Sequence, residues 1–158
     1  MAQNAALRLV RVHELDTLAW APLLAASKAE GQQMLSRLLQ DWRSGANRFD
    51  RPGESLWGLQ NEQGQWVAVG GLNLEPAPGR RGAARMRRFY VHPDYRGLGC
   101  ARRLFAAVLT TAQGQFERLH VNTQSAASAA FWSRQGFAAV GESAAYTHVR
   151  LLPARMPG

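Results

Sequence analysis

One lysine, one cysteine and no long apolar run set the first limits on this chain. Lys28 is the only lysine among 19 basic residues, so arginine carries the positive charge. Cys100 is the single cysteine, which excludes an intrachain disulfide and a multi-cysteine zinc site. The four histidines are scattered, without HExxH-like spacing, and no metal site is expected. No apolar stretch approaches the roughly 20 residues needed to span a bilayer. The opening segment MAQNAALRLVRV has no apolar core of the signal-peptide kind. The expectation is a cytoplasmic protein that meets no membrane.

What is present favours an ordered core. The chain has 158 residues, 46% of them hydrophobic, and shows no repeat, low-complexity tract or long linker. One domain over 1–158 is expected. The net charge is +8, and eight arginines fall between Arg80 and Arg103. Guanidinium forks match phosphate and carboxylate geometry. The cluster therefore reads either as a solvated surface or as a site for a phosphate-bearing partner, a nucleotide cofactor or nucleic acid.

Hydrophobic spacing outlines the elements. Residues 7–12 alternate and predict a strand. Asp16 can cap a short helix disturbed near Pro22. Met34, Leu35, Leu38, Leu39 and Trp42 share a helical face, predicting a second helix over 29–44. Strands over 54–60 and 65–74 flank the turn Asn61-Glu62-Gln63-Gly64, an antiparallel hairpin. A loop with Pro76, Pro78 and Gly79 precedes a strand over 85–91, which Pro93 stops. Gly97 and Gly99 open a helix with the stripe Leu98, Ala101, Leu104, Phe105 and Val108. A strand over 116–121, a helix over 126–135 capped by Ser125 and ended by Gly136, and strands over 137–140 and 146–152 complete the chain. This order predicts a three-layer α/β fold with a mostly antiparallel sheet.

The chemistry concentrates in Val91-His92-Pro93-Asp94-Tyr95-Arg96-Gly97-Leu98-Gly99-Cys100-Ala101. A strand enters a tight turn and a helix begins at the glycines. Helix N-termini carry unpaired N–H groups and partial positive charge, and small residues let an anion approach them. The N–H groups of Leu98, Gly99, Cys100 and Ala101 suit a pyrophosphate, with Arg96, Arg102 and Arg103 at the rim. The triphosphate loop GxxxxGK[ST] and the dinucleotide pattern GxGxxG are both absent.

Arg96-Gly97-Leu98-Gly99-Cys100-Ala101 resembles the Q/R-x-x-G-x-G/A pyrophosphate loop of the GNAT superfamily of acyl-CoA-dependent N-acyltransferases. Residues 88–93 resemble that family's central strand. Ser125 to Phe137 is similar to its second CoA-contacting helix and the Gly-Phe that follows. The resemblance implies a GNAT-like mixed sheet of about seven strands with helices on both faces. It also implies acetyl-CoA as co-substrate and direct attack by an amine, without a covalent enzyme intermediate. The central strand should splay from its neighbour near Tyr90, freeing backbone for the pantetheine arm, and an N–H near Val91 should polarise the acyl carbonyl. The implied cofactor contacts are Tyr90, Val91, Arg96, Gly97, Leu98, Gly99, Cys100, Ala101, Arg102, Asn122, Ser125 and Trp132.

Several positions depart from the family pattern. Many relatives carry a tyrosine four residues before the Gly-Phe, as the acid for the leaving thiolate; here it is Trp132, whose indole is no useful acid near neutral pH. Trp132 can pack on CoA or in the core. Tyr146 or water can replace the acid. Ser125 stands where an asparagine often begins the second CoA helix, and Asn122 can supply the polar contact or merely end its strand. An aliphatic amine, with a pKa of about 10, must lose a proton before attack. No carboxylate lies between Arg80 and Val91. Glu75 is the nearest candidate base, with His148 and His92 behind it. Asn73 is a candidate acceptor contact. Arg85 and Arg87 share one strand face, while Met86, Arg88 and Tyr90 share the other. The two arginines either bind an acceptor carboxylate or pair with a neighbouring acid. Cys100, at a helix start, reads as part of the loop rather than as a nucleophile.

Three functions follow. The first is an acetyltransferase acting on a small, amino-acid-like primary amine. The second is an acyl-CoA-binding sensor without turnover. The third, nucleic-acid binding, is disfavoured because the arginines gather at the CoA loop and no RNP-type aromatic pattern appears. A homodimer is left open.

Overall fold

Asn61 fixes the expected hairpin. Its Oδ1 accepts the N–H groups of Gln63 and Gln65, each at 3.0 Å, and Gly64 takes φ 77°. Strands β2 (Ser55–Gln60) and β3 (Trp66–Leu74) run antiparallel from either side of that turn. The computed structural model describes residues 6–15, 17–75, 82–141 and 145–153. The expected Asp16 cap and the loop at Pro76, Pro78 and Gly79 lie outside the described residues.

The sheet has seven strands in the order β1-β2-β3-β4-β5-β7-β6, with β1 (Arg8–Arg11), β4 (Ala83–Val91), β5 (Arg118–Val121), β6 (Ala138–Ala139) and β7 (His148–Leu151). The β4–β5 pair is parallel, and the other pairs are antiparallel. Helices α1 (Thr17–Ala29) and α2 (Met34–Ser44) cover one face, where Trp20, Leu23, Leu35 and Leu38 pack on Leu56, Val69 and Tyr90. Helices α3 (Cys100–Ala112) and α4 (Ala126–Arg134) cover the other, where Phe105, Val108 and Trp132 meet Leu72, Met86, Leu119 and Val121. This is the three-layer, mostly antiparallel architecture that the element order predicts.

Two helix expectations change. Pro22 sits inside α1 without ending it. An interior proline costs about 3 kcal/mol. Trp20 and Leu23, 2% and 0% exposed, together offset that, since each buried large apolar side chain contributes about 1.5–3 kcal/mol. The second helix begins at Met34 rather than Ala29, because α1 ends at Ala29 and Gly31 turns the chain at φ 76°.

The alternation along β4 is broken. Val69 pairs with Tyr90 and Gly71 with Arg87. One β3 residue, Gly70, therefore opposes two β4 residues, Arg88 and Phe89, and Arg88 takes φ 62°. This is a β-bulge. It overturns the expected common face of Met86, Arg88 and Tyr90. Met86 packs in the α3/α4 layer, whereas Tyr90 packs in the α1/α2 layer and Arg88 reaches Asp41 of α2 at 3.5 Å. Phe89 turns to the α3/α4 side, where its ring fills the space a Gly70 side chain would need.

Candidate active site

The β4–β5 ladder stops early. Its register runs Ala83↔Arg118, Ala84↔Leu119 and Arg85↔His120, and β4 then continues to Val91 unpaired on that side. The separation begins at Arg85, five residues before the expected Tyr90. At the far end His92 N–H donates to Val67 O at 2.8 Å. That bond leaves the N–H and C=O of Val91 on the side β5 has vacated. The Val91 carbonyl accepts from Arg96 Nε at 3.1 Å. A V-shaped opening with free main-chain groups results.

The open end leads to the start of α3. Pro93–Tyr95 forms a single 3-10 turn, with His92 Nδ1 accepting the Asp94 N–H at 3.1 Å. Gly97 and Gly99 both sit at φ 80°, conformations that side chains disfavour. Gly99 is the N-cap, without a side-chain cap. The first helical bond runs from Arg103 N–H to Gly99 O at 3.0 Å, so the N–H groups of Cys100, Ala101 and Arg102 remain available. A Cβ on Gly97 would meet nothing within 4 Å, so an anion has room to approach. Leu98 is half-buried and Arg102 exposed. Cys100 is buried, its Sγ is 3.5 Å from Tyr95 O, and burial pushes its thiol pKa up. Its thiol is therefore not activated.

Arg96 is engaged with Glu30 rather than left unpaired beside the loop. Its Nη1 and Nη2 donate to Glu30 at 2.9 and 2.6 Å. The Tyr90 hydroxyl donates to the same carboxylate, and the guanidinium stacks over the Tyr90 ring at 5.5 Å. The Arg96 and Tyr90 hydrogen bonds hold Glu30 at a pKa of about 2. Burial first, then Glu30, pushes Tyr90 to about 12.

On the acceptor face, Asn73, Arg85 and His120 stand in register across β3, β4 and β5. Asn73 is not open to a substrate. It is 2% exposed, exchanges two hydrogen bonds with Asn47 and donates a third to Glu54. Arg85 takes the pairing alternative: it grips Glu75 through Nη2 and Nε at 3.0 and 3.3 Å and also donates to Ala145 O. The Glu75 side chain is fully buried and lies 2.6 Å from His120 Nδ1. Glu75 is thus committed to two partners and is not a free base. Arg87 is half-buried and has no ion pair among the described residues; burial, then Arg85, lowers its pKa.

The remaining candidates separate. Trp132, 4% exposed, contacts Phe89, Phe105, Phe131 and Phe137 at ring distances of 4.9–5.5 Å. That is a core position, not a surface for CoA. Ser125 caps α4, its Oγ accepting from Ser128 N–H at 3.1 Å, and Asn122 is exposed at the end of β5. His148 is buried with its Nδ1 2.9 Å from Thr147 Oγ1. Tyr146 stacks on His120 at 3.7 Å. Sequence reasoning missed His120. Its only sequence signal is a polar residue set between the apolar Leu119 and Val121 of a short strand.

A sheet that opens beside a glycine-started helix defines an acyl-CoA transferase type of fold. The acetyltransferase (GNAT) family model matches residues 12–137, and the chain belongs to that family, whose members use acetyl-CoA as co-substrate. A candidate acetyltransferase from Exiguobacterium sp. 255-15 is 28% identical, with a TM-score of 0.81 over 92% of this chain and 93% of its own. A GNAT-family acetyltransferase from Staphylococcus aureus Mu50 shares the fold at 16% identity and a TM-score of 0.68, over 94% and 100% of the two chains. A GCN5-related N-acetyltransferase from Kribbella flavida does so at 20% and 0.67, over 94% and 99%. Among curated proteins, none matches.

Proposed function

We propose that this chain transfers an acetyl group from acetyl-CoA to the primary amine of a small molecule that also carries a carboxylate or similar anion. The pyrophosphate would rest on the N–H groups at the start of α3, and the pantetheine arm along the unpaired edge of β4. The Val91 N–H faces the opening and would polarise the thioester carbonyl as charge develops on oxygen. Much of the acceleration would come from holding amine and thioester side by side.

The observation that carries the substrate class is Arg87. A half-buried guanidinium without an ion pair at contact distance among the described residues is costly; Asp41, Glu75 and Glu54 act on it only through space, and an anionic substrate group would give it a direct partner. Arg87 and Arg88 both face the α1/α2 layer, and only Arg88 has its acid, Asp41. A polycationic acceptor is disfavoured by the same charges.

Among the described residues no helix is long and apolar enough to cross a membrane. The reading sets the reaction in the cytoplasm.

The test is thiol release from acetyl-CoA with paired amines that differ only in a carboxylate. The anionic member should react with the lower KM, and Arg87→Ala should erase that difference while sparing the neutral amine. Equal KM values for both members would remove the anion from the assignment. Acetyl-CoA that raises the melting temperature without thiol release from any amine would favour a sensor.

A further inference from the structure

His120 occupies the vertex of the V, at the last β4–β5 pair. Its side chain is 0% exposed, as is that of Glu75. Its Nδ1 faces Glu75 Oε2 at 2.6 Å. A carboxylate at that distance accepts a hydrogen bond from Nδ1–H, which keeps the proton on Nδ1 and leaves the lone pair on Nε2. Among the described residues nothing donates to Nε2, and solvent does not reach it. Buried polar atoms rarely go unmatched, and one that does calls for an explanation.

The groups around the ring come from four directions. Glu75 follows β3, Arg85 projects from β4, Arg118 precedes His120 on β5, and the Tyr146 ring lies parallel above it before β7. Burial disfavours the imidazolium, and Glu75 partly opposes that. Arg85 keeps the Glu75 carboxylate in place from its other side. The result is a neutral, oriented imidazole on the residue pair where the two strands part, with its bare Nε2 covered in the unliganded chain; an acceptor amine reaches it by displacing what covers it.

The geometry points to His120 as the general base of the transfer, with Glu75 as its positioning partner. This rests on the acetyltransferase reading above. The acceptor ammonium first gives one proton to solvent; as the neutral nitrogen then forms its bond to the acetyl carbon, its remaining N–H becomes acidic and that proton passes to His120 Nε2. The C–S bond breaks and its electron pair stays on sulfur. The imidazolium then gives the proton to that sulfur, which leaves as the thiol and restores neutral His120. Glu75 accepts the Nδ1–H throughout and steadies the transient positive charge.

The test joins kinetics to histidine NMR on the full chain. Side-chain nitrogen spectra of the wild type at pH 7 should show Nδ1 protonated and Nε2 bare, with the ring titrating below the ordinary histidine value. With aliphatic amino acids as acceptors, His120→Gln should lower kcat by ~100-fold or more, leave the KM for acetyl-CoA unchanged and remove the acid limb of the pH profile. Glu75→Gln should move the acid limb to lower pH, because Glu75 raises the His120 pKa. His120→Asn provides a second variant if the glutamine fails to fold.

A His120 variant that keeps the wild-type rate and acid limb overturns the assignment, as does a spectrum with the proton on Nε2. A wild type that releases no thiol with any amine brings down the transfer reading, and the base with it. Release that survives in the variants brings down the base alone.

Discussion

Arg96 closes on Glu30 through both terminal nitrogens, at 2.9 and 2.6 Å, across 66 residues of sequence. The contact ties the α1–α2 turn to the end of β4. Glu30 is held at a pKa of about 2, below the usual 4.5, first by its hydrogen bond from Arg96. A lowered folded-state value means that the stabilisation is present above pH 4.5 and is lost as pH falls towards 2. Melting temperature should therefore decline more steeply over that window in the wild type than in Glu30→Gln. The variant's Tyr90 should also titrate below its present value of about 12, visible as earlier phenolate absorbance.

The two loop glycines should respond differently. Gly97 has φ 80° with open space around it, so Gly97→Ala tests backbone strain alone, at about 1–2 kcal/mol. Gly99→Val places a β-branched residue at the same φ on the helix cap. It should weaken acetyl-CoA binding by at least about tenfold, the equivalent of 1.4 kcal/mol, by calorimetric titration. Unchanged affinity would move the pyrophosphate away from α3.

Gly70 and Phe89 form the inner side of the bulge. A Cβ at Gly70 would lie 2.7 Å from the Phe89 ring. Gly70→Ala should cost about 1–3 kcal/mol, the usual range for overpacking, measured by urea unfolding. The loss should shrink in the double variant with Phe89→Leu, because the two sites touch.

Trp132 offers a clean separation of roles. Trp132→Ala should lower stability by about 3–5 kcal/mol, as expected for a fully packed aromatic. Trp132→Phe should cost less and leave the KM for acetyl-CoA unaltered. A raised KM with unaltered unfolding would return this residue to the cofactor.

The strands, the hairpin at Asn61 and the start of α3 were legible because each is written in local spacing. Apolar alternation marks β2 and β3, and the glycines before Cys100 mark a loop whose function lies in its main chain. The bulge was not legible: Arg88 carries a positive φ without being glycine, so nothing in the sequence shows that the β4 alternation resets there. The partners of Glu75 were hidden for a different reason. His120 lies 45 residues away and meets it through strand pairing, a relationship that no local pattern encodes. Trp132 was ambiguous because a large aromatic serves a core and a ligand surface equally well; its packing against four phenylalanines is visible only in the fold.

The short β4–β5 ladder makes the sheet a structure with a seam. Beyond Arg85, among the described residues, no strand pairing stitches β4 to β5 along that edge. Whatever lies in the gap acts as mortar between two masonry courses. Amide hydrogen exchange at residues 86–91 should consequently report occupancy of the cleft more sensitively than global melting does.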